Sequence, residues 1–287
     1  MGLMEFITGA TLAGLSPGAT VVLPPGDHEF ISITRGSFNP PVVIDARQAR
    51  VKGVRLHDVD GVIWRGGTIT APDGKVGRGP PVYGVDAKRV KNVRFEGITF
   101  TDAARGIVFN DSDNIVLKNN HFTGLRTDGI NMAGVTGVLI EGNRFDNFTP
   151  IKPTGDKKLG NWKDGDHPDA VQIWTSPTRP YGADITIRGN IVEGDTQGLT
   201  FFGPPGEGYK RVVMEGNTVT VGYPSGMQIT TCTDCRVTGN DIRSVPGARW
   251  KANLRLEKSE PGLFCGNKVR DIPSHPGNAP CPKGTQK

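Results

Sequence analysis

Short alternating strands separated by glycine turns recur along the chain. Apolar segments repeatedly end in an asparagine, as in VLKNN, LIEGN and VMEGN. These asparagines are mostly 23 to 27 residues apart, with one interval of 47, and they are Asn120, Asn143, Asn190, Asn217, Asn240 and Asn267. A repeat of this length made of strands and glycine turns is typical of a solenoid, in which each coil buries apolar side chains against its neighbours.

A second strand precedes each asparagine strand and supplies an inward pair such as Ile130/Met132 or Val171/Ile173. Because side chains alternate along a strand, the residues between these pairs point outward. The pattern predicts an all-β, single-domain right-handed parallel β-helix over residues 1–287, with about eight coils. The asparagines are expected to form a structural ladder at one turn. A barrel or propeller is the alternative, although the repeat is short for a propeller blade.

The two ends of the chain are expected to close the solenoid. Residues 1–30 are interpreted as an N-terminal cap and first coil, including a short helix across Glu5 to Leu15, and residues 270–287 as a C-terminal tail. Four cysteines lie near the C-terminal end. They form no complete zinc-binding or redox pattern, so we expect structural thiols or disulfides, with the pairing left open.

One coil is much longer than the others. Nine or ten residues separate most asparagines from the next inward pair, but 28 separate Asn143 from Val171. The extra residues form a loop over 146–167, and smaller insertions lie near 176–182 and 203–209. Loops on a solenoid cost little stability and often carry functional residues. We therefore predict that these insertions form the walls of a cleft.

Counting along the coils places Asp128 beside Asp169 on the cleft floor, one parallel-strand spacing of about 4.8 Å apart. Two neighbouring carboxylates raise the pKa of at least one of them unless a cation compensates, and catalytic sites use this arrangement. His167 enters the floor strand two residues earlier and is a candidate general base or acid. A turn histidine and solvated carboxylates are the alternative interpretation.

The same counting predicts further groups around the carboxylates. Tyr181 is a candidate proton donor on the opposite insertion, and Lys152 is a second candidate base. Trp174 and Phe202 offer flat faces to sugar rings. The predicted substrate-binding residues are Arg105, Asn131, Gln172, Trp174, Phe202, Gln197 and Arg255. No cofactor is expected, with Ca²⁺ on Asp164, Asp166 and Asp169 as the alternative.

Charge and composition narrow the choice of partner. Lys and Arg total 34 against 29 Asp and Glu, a net charge of +5, which favours an anionic partner without indicating nucleic acid. No apolar run approaches the roughly 18 residues of a membrane span, and the first residues lack the order of a signal peptide. We therefore expect a monomeric protein without a membrane partner, secreted or periplasmic, whose export signal has been removed.

The segments RTDGINMAGVTGVLIEGNRF and GDHPDAVQIW resemble coils of right-handed β-helix polysaccharide lyases and mannuronan C5-epimerase-like proteins, including small alginate lyases. The resemblance extends from about Thr20 to Val269. The epimerase motif Asp-Pro-His-Glu is not matched by Asp166-His167-Pro168-Asp169. Thr127-Asp128-Gly129 is similar to a polygalacturonase motif, but the Gly-His-Gly motif of those hydrolases is missing.

The resemblance and the predicted cleft together favour β-elimination on an acidic, uronate-containing polysaccharide such as alginate. Arg105, Asn131 or Gln172 would neutralise the uronate carboxylate, His167 would remove the C5 proton, and Tyr181 or water would protonate the departing O4. An epimerase stays an alternative although its motif is not matched, and two further alternatives are open. A glycoside hydrolase would use Asp169 as the acid and Asp128 as the base. A glycan-binding module would bind without cleavage.

Overall fold

The computed structural model describes residues 4–5, 10–11, 14–71, 83–152, 165–203, 208–272, 277 and 279–282. No α-helix occurs in these ranges, and the ladders between strands are parallel. In chain order the strands are β1 Met4–Glu5, β2 Ala10–Thr11, β3 Thr20–Val22, β4 Gly26–His28, β5 Ile31–Asp45, β6 Ala49–Lys52, β7 Val54–Arg65, β8 Thr68–Thr70, β9 Tyr83–Lys88, β10 Lys91–Glu96, β11 Thr99–Phe100, β12 Arg105–Lys118, β13 His121–Thr123, β14 Ile130–Glu141, β15 Arg144–Asp146, β16 Asp169–Trp174, β17 Tyr181–Arg188, β18 Ile191–Gly194, β19 Gln197–Phe202, β20 Gly208–Glu215, β21 Thr218–Val221, β22 Ser225–Thr230, β23 Cys232–Thr238, β24 Asp241–Ser244, β25 Asn253–Glu257, β26 Glu260–Cys265 and β27 Lys268–Val269.

Each coil contributes a long path through a large sheet and one short strand to a second sheet. The long path has two legs, a floor strand such as β16 followed by an asparagine strand such as β17, and in β12 and β14 the two legs form one bent strand. The corner in β12 falls at Asp111, which has a φ of 50°. Asp, Asn and Gly tolerate this left-handed conformation best, which is why the corner carries an aspartate. The predicted all-β parallel solenoid is confirmed.

The core lies inside the coils, where inward side chains of successive coils stack. Phe100, Phe122 and Phe145 form a column with ring centroids 4.6 and 4.8 Å apart. All three rings are fully buried. Stacked rings at the parallel-strand spacing fill the core continuously, so each coil is stabilised by its neighbours.

The predicted asparagine ladder is confirmed. The side-chain Oδ1 of Asn190 accepts hydrogen bonds from the backbone N–H of Asn143 at 2.9 Å and from its Nδ2 at 3.0 Å. Asn190 itself donates to Asn217 and to the carbonyl oxygen of Ile140, both at 3.0 Å. The ladder therefore satisfies backbone groups at a buried turn and ties each coil to the next.

A column of alternating charge runs along the outer end of the asparagine strands. Neighbours in register follow the order Asp45, Arg65, Glu96, Lys118, Glu141, Arg188 and Glu215. Glu141 receives Lys118 on one side and Arg188 on the other, each at 3.0 Å. Opposite charges on neighbouring coils attract, so the column adds to the attraction between stacked coils.

Glycines at the entry to the floor strands let the coils approach closely. A Cβ on Gly106 would lie 2.5 Å from the carbonyl oxygen of Gly129, and a Cβ on Gly129 would lie 2.6 Å from that of Ala170. These contacts are shorter than ordinary van der Waals separations. The glycines therefore fix the spacing of the floor beside Asp128 and Asp169.

Two expectations about the chain ends have different outcomes. The prediction of a helix across Glu5 to Leu15 is wrong for the described residues. Met4–Glu5 instead pairs in parallel with Thr20–Val21, and Ala10–Thr11 pairs in parallel with Ile31–Ser32. Residues 6–9 and 12–13 lie outside the described ranges. The expected disulfides are confirmed as Cys232–Cys235 and Cys265–Cys281.

Within the described residues, no helix has the length and apolarity needed to cross a membrane.

Candidate functional site

The floor brings Asp128 and Asp169 together as the counting predicted. Asn131 pairs with Gln172 between β14 and β16, which places Asp128 and Asp169 on neighbouring coils. The backbone N–H of Asp169 donates to Asp128 Oδ1 at 3.2 Å. Trp174 pairs with Phe202 in the next coil, also as predicted.

A connected polar network surrounds the two carboxyl groups. Arg105 Nε lies 2.9 Å from Asp128 Oδ2, and Asn131 Nδ2 donates to the same oxygen at 3.0 Å. Asn131 Nδ2 also lies 2.7 Å from Gln172 Oε1, while Gln172 Nε2 donates to Asp169 Oδ2 at 2.7 Å. Asp128 and Gln172 thus contact Asp169 directly, and Arg105 and Asn131 are joined to it through them.

Thr200 in the next coil contacts the carboxyl group of Asp169. Thr200 Oγ1 lies 2.7 Å from Asp169 Oδ1 and 3.0 Å from the carbonyl oxygen of Val171. A threonine hydroxyl has one hydrogen and cannot donate to both acceptors. The shorter contact has Thr200 donating to Asp169, and Val171 is the second acceptor within reach of the same hydroxyl.

The burial of the two carboxyl groups affects their pKa values differently. Asp169 has 0% of its surface exposed, and this burial raises its pKa well above the usual value, with a further increase from the charge of Asp128. Burial also raises the pKa of Asp128, but the Arg105 guanidinium opposes that change. Burial therefore favours the protonated form of Asp169 most strongly, whereas the Arg105 guanidinium favours the anionic form of Asp128.

A cavity of about 330 Å³ opens beside Asp128. We call it the histidine cavity. Its lining combines two guanidinium groups, the two carboxylates with which they are paired and an exposed imidazole. It consists of Arg105, Arg126, Thr127, Asp128, Gly165, Asp166, His167 and Gln172. Such a lining can bind a carboxylate beside a group that accepts a proton.

The long loop is pinned at the mouth of the histidine cavity. Asp166 Oδ2 accepts the backbone N–H of Ile151 at 2.7 Å, and the Asp166 N–H donates to the Ile151 carbonyl oxygen at 2.8 Å. Arg126 Nε approaches the same Asp166 oxygen at 3.2 Å. These contacts hold both ends of the loop together and fix the position at which His167 enters the floor. Loop residues 153–164, including Asp164, lie outside the described ranges.

An aromatic platform lies at the other end of the floor strands. The rings of Trp174 and Phe202 stack with centroids 4.8 Å apart. They border a cavity of about 540 Å³ that also contains Gln228, Thr230 and Glu257. Trp174 is 40% exposed. A large, partly exposed aromatic face beside polar groups is suited to stacking on a sugar ring.

Other predicted residues lie away from the histidine cavity. Tyr181 begins the strand that follows the insertion after Trp174, so it stands at the opposite end of the floor from His167 and is 57% exposed. Lys152 forms an ion pair with Asp195. Gln197 is the register neighbour of Asp169 in the next coil, and Arg255 lies next to Gln228 with its Nε donating to Asn253 at 3.0 Å.

Sequence reasoning missed the part played by Thr200 and the aromatic turn residues Tyr223 and Trp250. Thr200 lies between the inward residues Leu199 and Phe201, and only its contacts with Asp169 and Val171 reveal its importance. Tyr223 and Trp250 lie in turns, where no alternation marks them. Among the described residues, no group of three or more His, Cys, Asp or Glu is arranged to hold a metal ion.

The fold and this floor match a family described as the right handed beta helix region, over residues 42–242. Since the match covers more than half of the chain, the protein belongs to the right-handed β-helix family. A comparison with curated proteins finds no match to the sequence.

Solved structures with a similar fold include the Dettilon tailspike protein, at 13% identity and a TM-score of 0.52, with 92% of this chain and 56% of the tailspike covered. PfbA, a surface adhesin of Streptococcus pneumoniae, has 14% identity and a TM-score of 0.50, with 93% and 82% covered. A complex of alginate lyase AlyF-OU02 with G6 has 16% identity and a TM-score of 0.46, with 92% and 64% covered. This chain thus spans little more than half of the tailspike, and identities this low show the fold alone.

Proposed function

We propose that the protein is a polysaccharide lyase that cleaves a uronate-containing chain by β-elimination in the histidine cavity. The observation that carries the proposal is the placement of His167 in one cavity with the guanidinium groups of Arg105 and Arg126. A uronate offers a carboxylate next to an acidic C–H bond, and this cavity offers cations next to a base.

Arg105 is the proposed carboxylate-binding residue. Its Nε faces Asp128, and a guanidinium has further N–H donors on its two Nη atoms that can bind the substrate carboxylate. Neutralising that carboxylate makes the C5 proton more acidic. Donors that stabilise the developing negative charge contribute about 10²-fold or more to the rate.

His167 is the proposed base. It accepts the C5 proton, the C–H electron pair forms the C4–C5 double bond, and the C4–O4 bond breaks with its electrons on O4. Water protonates the departing O4, since Tyr181 lies at the other end of the floor. The Asp169–Thr200 contacts hold the floor in one hydrogen-bonded arrangement, so Asp169 acts as a positioning residue in this proposal.

The aromatic platform is proposed to bind another sugar unit of the same chain. Trp174 and Phe202 lie about five residues along the floor strands from the carboxyl pair, roughly 16 Å at the rise of a β-strand. A chain that crosses the floor would contact both regions. The two disulfides support a secreted or periplasmic location.

The hydrolase alternative requires a carboxylic acid that reaches the scissile bond. Asp169 is fully buried beneath Gln172 and Thr200, so it cannot protonate a leaving group in this conformation. This observation favours elimination over hydrolysis at the Asp128/Asp169 pair.

The test is an assay on a panel of acidic and neutral polysaccharides, beginning with alginate. β-Elimination is expected to produce unsaturated uronates, detected by their ultraviolet absorbance, in step with new reducing ends. New reducing ends without that absorbance would indicate hydrolysis instead of elimination. Retention on a polysaccharide gel without products would identify a glycan-binding module.

A further inference from the structure

A second pocket lies on the same edge of the solenoid as the histidine cavity. It has a volume of about 510 Å³ and is formed by turns that follow β18, β21 and β24. We call it the turn pocket. Its chemically distinctive residues are Lys152, Asp195, Tyr223, Arg249 and Trp250.

The turn pocket has an aromatic wall. The rings of Tyr223 and Trp250 lie with centroids 5.3 Å apart at an angle of 34°. Tyr223 is largely buried, whereas Trp250 is partly exposed. Burial and the nearby Asp195 raise the pKa of Tyr223 to about 12, so its hydroxyl remains a hydrogen-bond donor at neutral pH. An aromatic pair with a polar tip suits a ligand that has one flat face and hydroxyl groups.

The turn pocket also carries excess positive charge. The guanidinium carbon of Arg249 lies 4.9 Å from the centroid of the Trp250 ring, and Lys152 Nζ lies 5.8 Å from that of Tyr223. Lys152 forms an ion pair with Asp195. Two cations and one carboxylate leave a net positive lining, which favours an anionic ligand.

The position of the turn pocket connects it to the histidine cavity. Thr196 Oγ1 donates to the carbonyl oxygen of Pro168 at 3.1 Å, so the turn with Asp195 lies one coil beyond the turn with His167. Lys152 directly follows Ile151, which is bonded to Asp166. From His167 to Trp250 is three coils, about 14 Å at the parallel-strand spacing. A single polysaccharide lying along the solenoid axis would contact both.

We propose that the turn pocket binds a second anionic sugar unit, a uronate pyranose, of the same chain that occupies the histidine cavity. The sugar face packs against Trp250, and Arg249 and Lys152 bind its carboxylate. This inference rests on the proposed function for the identity of the ligand. It adds a binding direction along the axis, in addition to the path across the floor towards Trp174.

The experiment measures binding of uronate oligosaccharides of increasing length by calorimetry. The protein carries His167→Gln so that ligands are not consumed. Trp250→Ala and Arg249→Gln are each expected to weaken binding roughly tenfold for oligosaccharides long enough to span the three coils. For shorter oligosaccharides, which fill one cavity only, the affinity is expected to change little. Phe30→Ala is the matched control, because Phe30 is an exposed aromatic with Arg55 over its ring at 5.3 Å.

Three outcomes would overturn the inference: unchanged affinity at every length, the same loss at every length, or the same loss for neutral oligosaccharides of equal length. Arg249 is exposed, so Arg249→Gln keeps the test valid if Trp250→Ala impairs folding. Cleavage by the unmodified protein is measured separately. If Trp250→Ala weakens the binding of long oligosaccharides only, but no cleavage is found, the turn pocket is supported and the lyase activity is not. If cleavage is found without this effect of Trp250→Ala, the lyase activity is supported and the turn pocket is not.

Discussion

The backbone N–H of Asp169 donates a hydrogen bond to the side chain of Asp128 across two neighbouring coils. The carboxyl group of Asp169 faces the network of Gln172 and Thr200, and that of Asp128 faces Arg105. The two aspartates therefore have different surroundings although they are neighbours. Burial favours the protonated form of Asp169, whereas the Arg105 guanidinium favours the anionic form of Asp128.

Asp169→Asn is expected to raise the free energy of unfolding at neutral pH, because asparagine matches the shape and neutrality of the protonated acid. The raised pKa means that folded Asp169 binds a proton more tightly than the unfolded residue, whose pKa is about 3.9. Its stabilising contribution is complete below the unfolded pKa and is lost as the pH rises through the folded pKa. Denaturant unfolding from about pH 4 to about pH 8 measures this, and the advantage of the variant is expected to grow with pH.

Asp184→Asn provides the control of opposite sign. A hydrogen bond from Arg211 lowers the pKa of Asp184, so its contribution is present above the unfolded pKa and is lost as the pH falls. The effect is expected to be small because the pair is exposed to solvent. A pH-independent difference between Asp169→Asn and the unmodified protein would contradict the raised pKa of Asp169.

His167→Gln is expected to lower kcat/KM by at least about 100-fold, because it removes the proposed base. Substrate Kd is expected to change little, since Arg105 and the aromatic platform remain. The measurement combines initial rates of unsaturated product with calorimetric binding. His28→Gln is the control, as the His28 ring lies 2.8 Å from the Pro24 carbonyl oxygen in an early coil. Full activity in His167→Gln would exclude this residue as the base.

Trp174→Ala is expected to weaken polysaccharide binding roughly three- to tenfold through the loss of a stacking face. The thermal midpoint is expected to change little, because Trp174 is 40% exposed. Affinity electrophoresis in gels containing the polysaccharide gives the measurement. Phe30 has the same exposed fraction, so Phe30→Ala shows the effect of removing a surface aromatic elsewhere. Equal retardation of both variants would contradict the platform.

Asn190→Ala is expected to lower the free energy of unfolding by about 3 kcal/mol, because it leaves buried donors of Asn143 without their acceptor. Denaturant unfolding measures the change. Asn110, which is partly exposed on the floor, offers the comparison, and Asn110→Ala is expected to stay within about 0.5 kcal/mol. A small decrease in the free energy of unfolding of Asn190→Ala would show that water replaces the lost hydrogen bonds of the ladder.

The neighbours on the floor could be predicted because two periodicities combine. Alternation along a strand assigns the face, and the repeat length assigns the coil, which is sufficient to pair Asp128 with Asp169 and Trp174 with Phe202. Burial on that face could not be read in this way. Asp169 points outward, but Gln172 and Thr200 cover it, and only their three-dimensional packing shows this.

Turns and chain ends were harder to predict for a physical reason. Turn residues have no alternating pattern, so Trp250 and Tyr223 gave no signal of a shared pocket. At the N-terminal end, three of the residues expected to be helical lie in strands instead: Glu5 pairs with Val21, and Ala10–Thr11 pairs with Ile31–Ser32. Tertiary pairing thus overrides a weak local preference.

The Cys265–Cys281 disulfide has a consequence for self-association. It holds the segment near Ala279 against the final coil, where the Gly266 N–H donates to the Ala279 carbonyl oxygen at 2.6 Å. The terminal strand of any sheet is a template for another strand, and a parallel solenoid offers such a template at its end. Reducing this bond would free the Cys281 segment from the last described coil, and the backbone groups that it contacts would become available to another strand.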